Sequence, residues 1–299
     1  MFYNKFMRRS FEGGESFASA ERAADEEIKD KKAYEAAEAA LKKDAVHEED
    51  FIDLYGEGNV RRDLERVAEA EKIFKQESTP QSDQLRRYST IFEWTLNERI
   101  ELGDYFGSNA FTQRASRYDD IVNGVDTILE FRNNPDEAKQ ASYLTLGIDD
   151  TFSTRREVQE KKLRRIKSKI DSGELTKVKY FSSDYMNFRG ELKNVPLIVL
   201  GTELRTVAQL RDLMLSRDNK SLDSHPIQHL LLHEAKTETG IFSRYAEGIG
   251  RIDLAEIYKN TGRIIDEIIA EKGDFDRTIL DQDRVFQTML LALHEIFGK

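Results

Sequence analysis

The stretch Tyr118-Asp119-Asp120-Ile121-Val122-Asn123-Gly124-Val125-Asp126-Thr127-Ile128-Leu129-Glu130-Phe131 moves from a polar, glycine-ended segment into β-favouring residues. A second such run, Tyr143-Leu144-Thr145-Leu146-Gly147-Ile148-Asp149-Asp150-Thr151-Phe152, follows it. Both runs are short and rich in branched and aromatic residues, so 125–131 and 143–152 are predicted strands. Side chains alternate along a strand. Asp126, Ile128 and Glu130 therefore share one face, opposite Val125, Thr127, Leu129 and Phe131. In the second strand Asp149 and Thr151 share a face, opposite Asp150 and Phe152. Acids stand here where apolar residues are expected. If the strands are neighbours, Asp126 and either Asp149 or Asp150 fall within reach of one divalent cation, whose oxygen preference suits carboxylates that would otherwise repel one another. Asp126, Asp149 and Asp150 are thus candidate ligands for Mg²⁺ or Mn²⁺. Solvated strand ends or structural pairs are the competing reading.

Working outward, a helix is predicted over 83–105 and another over 153–170, the latter opened by Ser153-Thr154 and closed by Asp171-Ser172-Gly173. Strands over 177–181 and 195–200 and a helix over 202–215 follow. The order helix, strand, strand, helix, strand, strand, helix indicates an α+β core. Residues 18–44 favour helix but carry few large apolar side chains beyond Ile28, Tyr34 and Leu41. They read either as a helix resting on a partner surface or as a weakly ordered arm. A helix over 60–76 is followed by a break at Ser78-Thr79-Pro80-Gln81-Ser82. Beyond Arg217 helices are predicted over 226–247, 252–271 and 276–297. Three regions result: an acidic helical extension over 1–80, a core over 81–216, and a helical region over 217–299.

The chain of 299 residues is long enough to bury a substantial core. It contains no Cys, which excludes disulfides, thiolate metal sites and cysteine nucleophiles and suits a reducing, cytoplasmic location. The basic, aromatic start Met1 to Arg9 lacks a following apolar stretch, so no signal peptide is expected, and no membrane span is expected either. The net charge of -10 disfavours contact with phosphates, but residues 11–60 alone hold 15 acidic and 6 basic side chains, leaving the remainder near neutral. The run 155–169 concentrates positive charge. Within it Arg155, Arg156, Lys161 and Arg165 are candidate nucleic-acid contacts, although a solvated helix face is the commoner meaning of such a run.

The segment from Tyr118 to Phe131, followed by Gly147-Ile148-Asp149-Asp150-Thr151, resembles the PD-(D/E)XK superfamily of restriction-endonuclease-like proteins. The resemblance spans roughly 83–216. It implies a restriction-endonuclease-like mixed sheet flanked by helices and Mg²⁺- or Mn²⁺-dependent phosphodiester hydrolysis of DNA or RNA. It also implies an acid at the start of one strand, matched by Asp126, and an acid-x-Lys tripeptide on the next, whose acid is matched by Asp149. A Glu on the preceding helix, Glu98 or Glu93, completes the set. Thr151 stands where the tripeptide carries Lys. Some members place that Lys on the following helix, where Lys162 falls within the inward arc defined by Val158, Leu163, Ile166 and Ile170. Asp126, Asp149, Lys162 and Glu98 are the catalytic residues this implies. The missing tripeptide Lys also favours an alternative, a catalytically inactive nuclease-like module that binds nucleic acid or, through its helical extensions, a protein partner.

His225, His229 and His233 recur at every fourth position of one predicted helix. Just over two helical turns, about 12 Å, separate the outer two too widely for one ion, and no H-E-x-x-H order is present, so this reads as a histidine-rich face.

Overall fold

The computed structural model describes residues 3–132, 144–151 and 155–298, with side chains from residue 20 onward apart from those of 144 and 145. Tyr143, Phe152, Ser153 and Thr154, which figure in the predicted strand and helix ends, lie outside the described residues. The chain is mixed α and β, with a four-stranded mixed sheet and a separate two-stranded one. No described helix is long and apolar enough to cross a membrane.

Helix α1 (Tyr3–Asp44) leads through a 3₁₀ turn at Glu48–Phe51 and the short α2 (Ile52–Tyr55) into α3 (Glu57–Gln76). Helix α4 (Pro80–Leu102) starts where the sequence breaks: Thr79 Oγ1 accepts from the Ser82 amide at 3.1 Å, and Ser82 Oγ accepts from the Thr79 amide at 2.7 Å. With Pro80 in the first turn, this reciprocal cap fixes the helix entry. Then come β1 (Ala110–Arg114), a π turn at Asp119–Asn123, β2 (Thr127–Phe131), β3 (Leu144–Thr151), α5 (Arg156–Ser172), the hairpin β4 (Thr176–Ser183) and β5 (Phe188–Val195), and β6 (Leu197–Gly201). The chain ends in α6 (Leu204–Ser216), α7 (Asn219–Asp223), α8 (Ile227–Gly248), α9 (Ile252–Lys272), α10 (Thr278–Gln282) and α11 (Arg284–Phe297).

The four-stranded sheet runs β1-β2-β3-β6. The first two pairings are antiparallel, and β6 lies parallel to β3, with Asp149 opposite Val199 and Asp150 opposite Leu200. A parallel neighbour requires a crossover, which α5 and the β4–β5 hairpin supply. Strand β2 is buried throughout, and its two polar members are satisfied: Thr127 takes a hydrogen bond from Asn97 at 3.0 Å and Glu130 takes one from Ser183 at 2.8 Å. The outer edge of β6 is covered by α8, whose Glu238 and Glu234 accept from the Val199 and Gly201 amides at 2.8 and 2.9 Å. An open strand edge is thereby closed.

One contiguous core draws on residues from Ala33 to Phe297. Helix α1 belongs to it: Ala33, Ala37 and Leu41 are buried, and α1 packs on α4 and α6. The docked helix, not the loose arm, is the one realised. Its small residues permit close approach, and the buried Arg211 of α6 binds Glu26 and Asp30.

Several expectations are corrected. Strand β1 adds to the expected order, because Ala110-Phe111-Thr112-Gln113-Arg114 has too little apolar content to signal a strand, and β5 adds to it because most of its side chains are exposed. Val195 closes β5, and Pro196 separates it from β6. The last predicted helix divides at Asp283, whose carboxylate caps α11 by accepting from the Phe286 amide at 2.9 Å.

Candidate active site

At the end of the sheet where β2 begins and β3 finishes, a cleft of about 570 Å³ is lined by Glu93, Arg114, Arg117, Asp120, Asp126 and Asp150. Helix α1 supplies Tyr34, Glu38 and Lys42 to its wall, α3 supplies Glu71, and α4 supplies Arg86, Ser89 and Thr90.

Local geometry aims these groups. Gly124 has φ +65°, and a Cβ there would overlap the Arg165 guanidinium, so glycine makes the turn into β2 without strain and leaves that guanidinium in place. Asp126 follows, held in the sheet by its amide, which donates to the Ile148 carbonyl at 2.9 Å. Its Oδ2 accepts from the Asp150 amide at 2.7 Å. Asp119, in the π turn, is fully buried and organises the neighbourhood: it accepts from the Lys179 and Tyr180 amides at 2.8 and 2.9 Å and from Ser116 and Asn123 at 2.8 and 2.6 Å. This fixes the π turn against β4 and leaves Asp120 to line the cleft.

The alternation along β3 separates the paired aspartates. Asp149 turns onto α5, where Lys162 and Arg165 each bind one of its carboxylate oxygens. Asp150 turns into the cleft, is 7 % exposed, and neither of its carboxylate oxygens has a hydrogen-bond partner. Of the predicted metal ligands, Asp126 and Asp150 therefore meet, while Asp149 is occupied by two cations on the far side of the strand. Lys162 does not snorkel to solvent. Its ammonium binds Asp149 and donates to the Asp150 backbone carbonyl at 2.5 Å, linking α5 to the strand that carries Asp150.

Glu98 is not brought to the cleft. Five residues along α4 turn it about 140° from Glu93, and it pairs with the buried Arg99 at 2.9 Å, which in turn binds Asp223 at 2.8 Å. Glu93 reaches the cleft and is paired with Arg114 of β1 at 2.8 Å. The basic run 155–169 is largely neutralised locally. Arg156 pairs with Glu160 and Glu295, Arg164 with Glu160, and Arg165 with Asp149. Lys161 is exposed, as is Arg155, which begins α5 as its N-cap residue. The sequence did not single out Asp120, Arg114 or Arg117, although Asp120 stands in the opening stretch. Arg117 binds Asp120 and pairs with Glu71 at 2.8 Å.

Burial and crowding shape the electrostatics. Asp126 and Asp150 are both pushed well above the usual carboxylate range, first by burial and then by the surrounding acids. Asp120 acts most strongly on Asp126, and Glu93 on Asp150. Burial likewise lifts Glu93 to about 7 despite the attraction of Arg114. Burial alone would lower the Lys162 ammonium, but Asp149 and Asp126 outweigh it and hold it above its ordinary value, so Lys162 is a fixed cation rather than a base.

Among the described residues no three acidic or histidine side chains already stand close enough to hold a metal ion. The donor chemistry nonetheless fits a hard cation: Glu93, Asp126 and Asp150 offer oxygens only, and both Asp150 oxygens lack a partner. The histidine row is no competitor, because His229 stacks on Phe275 at 4.4 Å and His233 packs against the same ring at 4.9 Å. No protein-family model, curated protein or solved structure matches this chain.

Proposed function

We propose that the chain is a divalent-metal-dependent nuclease hydrolysing phosphodiester bonds of DNA or RNA, with a restriction-endonuclease-like core running from α4 to β6. One observation carries the reading: Asp150 is buried with both carboxylate oxygens unpartnered, beside Asp126 and Glu93 in a cleft. Such an arrangement is costly unless protons or a cation join it. The order of helix, three antiparallel strands, crossover helix and parallel strand supports the fold part of the reading.

Glu93, Asp126 and Asp150 would hold Mg²⁺ or Mn²⁺, which when bound supplies Lewis acidity and lowers the pKa of water. The Asp150 amide orients the Asp126 carboxylate, and Arg114 orients Glu93. Lys162 contributes permanent positive charge at the end of β3 and offsets the crowding of Asp126. In this role it is a positioning residue, since its contacts are to Asp149 and the Asp150 backbone.

That same placement favours a second reading. With Thr151 in the tripeptide position and Lys162 engaged by Asp149, the cleft would bind nucleic acid or a protein without cutting. Cleavage of labelled single- and double-stranded DNA and RNA in Mg²⁺ or Mn²⁺ decides between them. Metal-dependent cutting that falls by about 10²-fold or more in both Asp126→Asn and Asp150→Asn supports the nuclease. Absence of cutting on every substrate supports the non-catalytic module.

A further inference from the structure

We infer that the cleft takes a single-stranded nucleic-acid segment alongside the packed helices α1 and α4, with Lys42 and Arg86 binding its phosphates beside the acidic floor of Glu93, Asp126 and Asp150. The inference rests on the phosphodiester reading of that floor and deepens it by naming the substrate form.

Enclosure is the first ground. The acids do not lie on an open sheet face. Tyr34, Glu38 and Lys42 of α1 and Arg86, Ser89 and Thr90 of the adjoining α4 line the cleft beside them. A volume of 570 Å³ falls in the range, roughly 300–1,000 Å³, that encloses a drug-sized ligand, so it accommodates about one or two nucleotide units. A duplex keeps two backbones and a base stack together, and could deliver a phosphodiester to this floor only by unpairing.

The wall is fixed in place. Asp30 of α1 accepts from the Tyr88 hydroxyl at 3.0 Å and is bound by Arg211, while Ala33, Ala37 and Leu41 are buried against the core. An anchored helix of this kind keeps the cleft narrow when a nucleic acid arrives.

Charge gives the second ground. Of the four cations lining the cleft, Arg114 is committed to Glu93, and Arg117 to Glu71 and Asp120. Lys42 and Arg86 are exposed and join no ion pair among the described residues. They offer phosphate contacts from two neighbouring helices, and Arg86 can take two phosphate oxygens at once. Tyr34 presents a partly buried aromatic ring to the same space, a surface on which a base can stack whatever its identity. The carboxylate floor repels phosphate until a divalent cation neutralises it, so binding should require the cation.

The test uses the full chain and reads binding separately from cutting. Fluorescence anisotropy in Ca²⁺, and in chelator, compares a short labelled single strand, a blunt hairpin duplex and the same duplex with a single-stranded overhang. The expected result is Ca²⁺-dependent binding of the single strand and the overhang, with the blunt duplex at least about tenfold weaker. The double substitution Lys42→Gln, Arg86→Gln should weaken single-strand binding by about tenfold or more and reduce the salt slope by about 0.7 for each phosphate no longer neutralised. Both positions are exposed, and unchanged thermal unfolding of the variant establishes that it folds. Equal affinity for the blunt duplex, unaltered affinity of the double variant, or no binding of any oligonucleotide overturns the inference. A parallel incubation in Mg²⁺ or Mn²⁺ tests the nuclease reading by itself: single strands bound through Lys42 and Arg86 but never cut would sink that reading and leave the binding mode standing.

Discussion

The amide of Asp150 donates a 2.7 Å hydrogen bond to Oδ2 of Asp126, so the residue that brings the second cleft carboxylate also orients the first. Asp126 immediately precedes β2 and Asp150 lies on β3, its neighbour in the sheet. Their spacing is set by backbone pairing, which is stiffer than any side-chain contact.

Removing either charge should relieve the crowding that burial imposes. Asp126→Asn and Asp150→Asn are each expected to raise the urea midpoint of the cation-free protein at about pH 8, while reducing the stabilisation that Mg²⁺ confers. Asp126→Ala should behave differently, because it strands the Asp150 amide and costs about 1–3 kcal/mol relative to Asn. Chemical denaturation of the three variants with and without Mg²⁺ makes the comparison.

The raised carboxyl groups fix the sign of the pH dependence. Glu93 titrates at about 7 in the folded chain against an ordinary 4.5, so between these values the folded state holds a proton that the unfolded state has lost. Stability of the cation-free protein therefore falls as pH rises from about 4.5 to about 7, by roughly 3 kcal/mol from Glu93 alone, and Asp126 and Asp150 add loss in the same direction. Glu93→Gln should flatten this slope. Because a cation competes with those protons, Mg²⁺ should stabilise the wild type more at about pH 8 than at about pH 5.

Arg211 is 1 % exposed in its side chain and binds Glu26 and Asp30 of α1. Arg211→Ala leaves Asp30 buried without its cation, a change costing roughly 3–5 kcal/mol. It should also loosen α1 from α6 and thus the wall of the cleft. Limited proteolysis of the variant should cut within α1 before the rest of the chain.

Gly124→Ala meets two obstacles at once. The positive φ costs about 1–2 kcal/mol for a residue with a Cβ, and the added methyl must displace the Arg165 guanidinium from Asp149 and the Gly124 carbonyl. A drop of several degrees in Tm is expected. A Tm equal to that of the wild type would show that the turn before Asp126 tolerates a side chain and does not depend on glycine.

The sequence by itself determined the elements whose pattern is local and strong. Strands β2 and β3 were legible because branched and aromatic residues are concentrated there, and α5 because its apolar stripe recurs at helical spacing. The same stripe turned Lys162 inward, where Asp149 now holds it. The start of α4 and the end of α5 were legible to within a few residues, because the break at 78–82 and the left-handed Gly173 act on their immediate neighbours. Only the tertiary structure decided the rest. Strands β1 and β5 are polar segments made into strands by partners they pair with, not by their own propensity. Whether Asp149 or Asp150 enters the cleft depends on which face of β3 meets α5. Glu93 replaces Glu98 because the roll of α4 is set by packing on α1 and β1. Residues 18–44 could not be assigned as helix or arm because the cation that anchors them, Arg211, lies 181 positions after Asp30 in the chain. Alternation and capping are short-range forces and are written in neighbouring residues; the facing of a helix or strand is chosen by burial and charge across the whole chain.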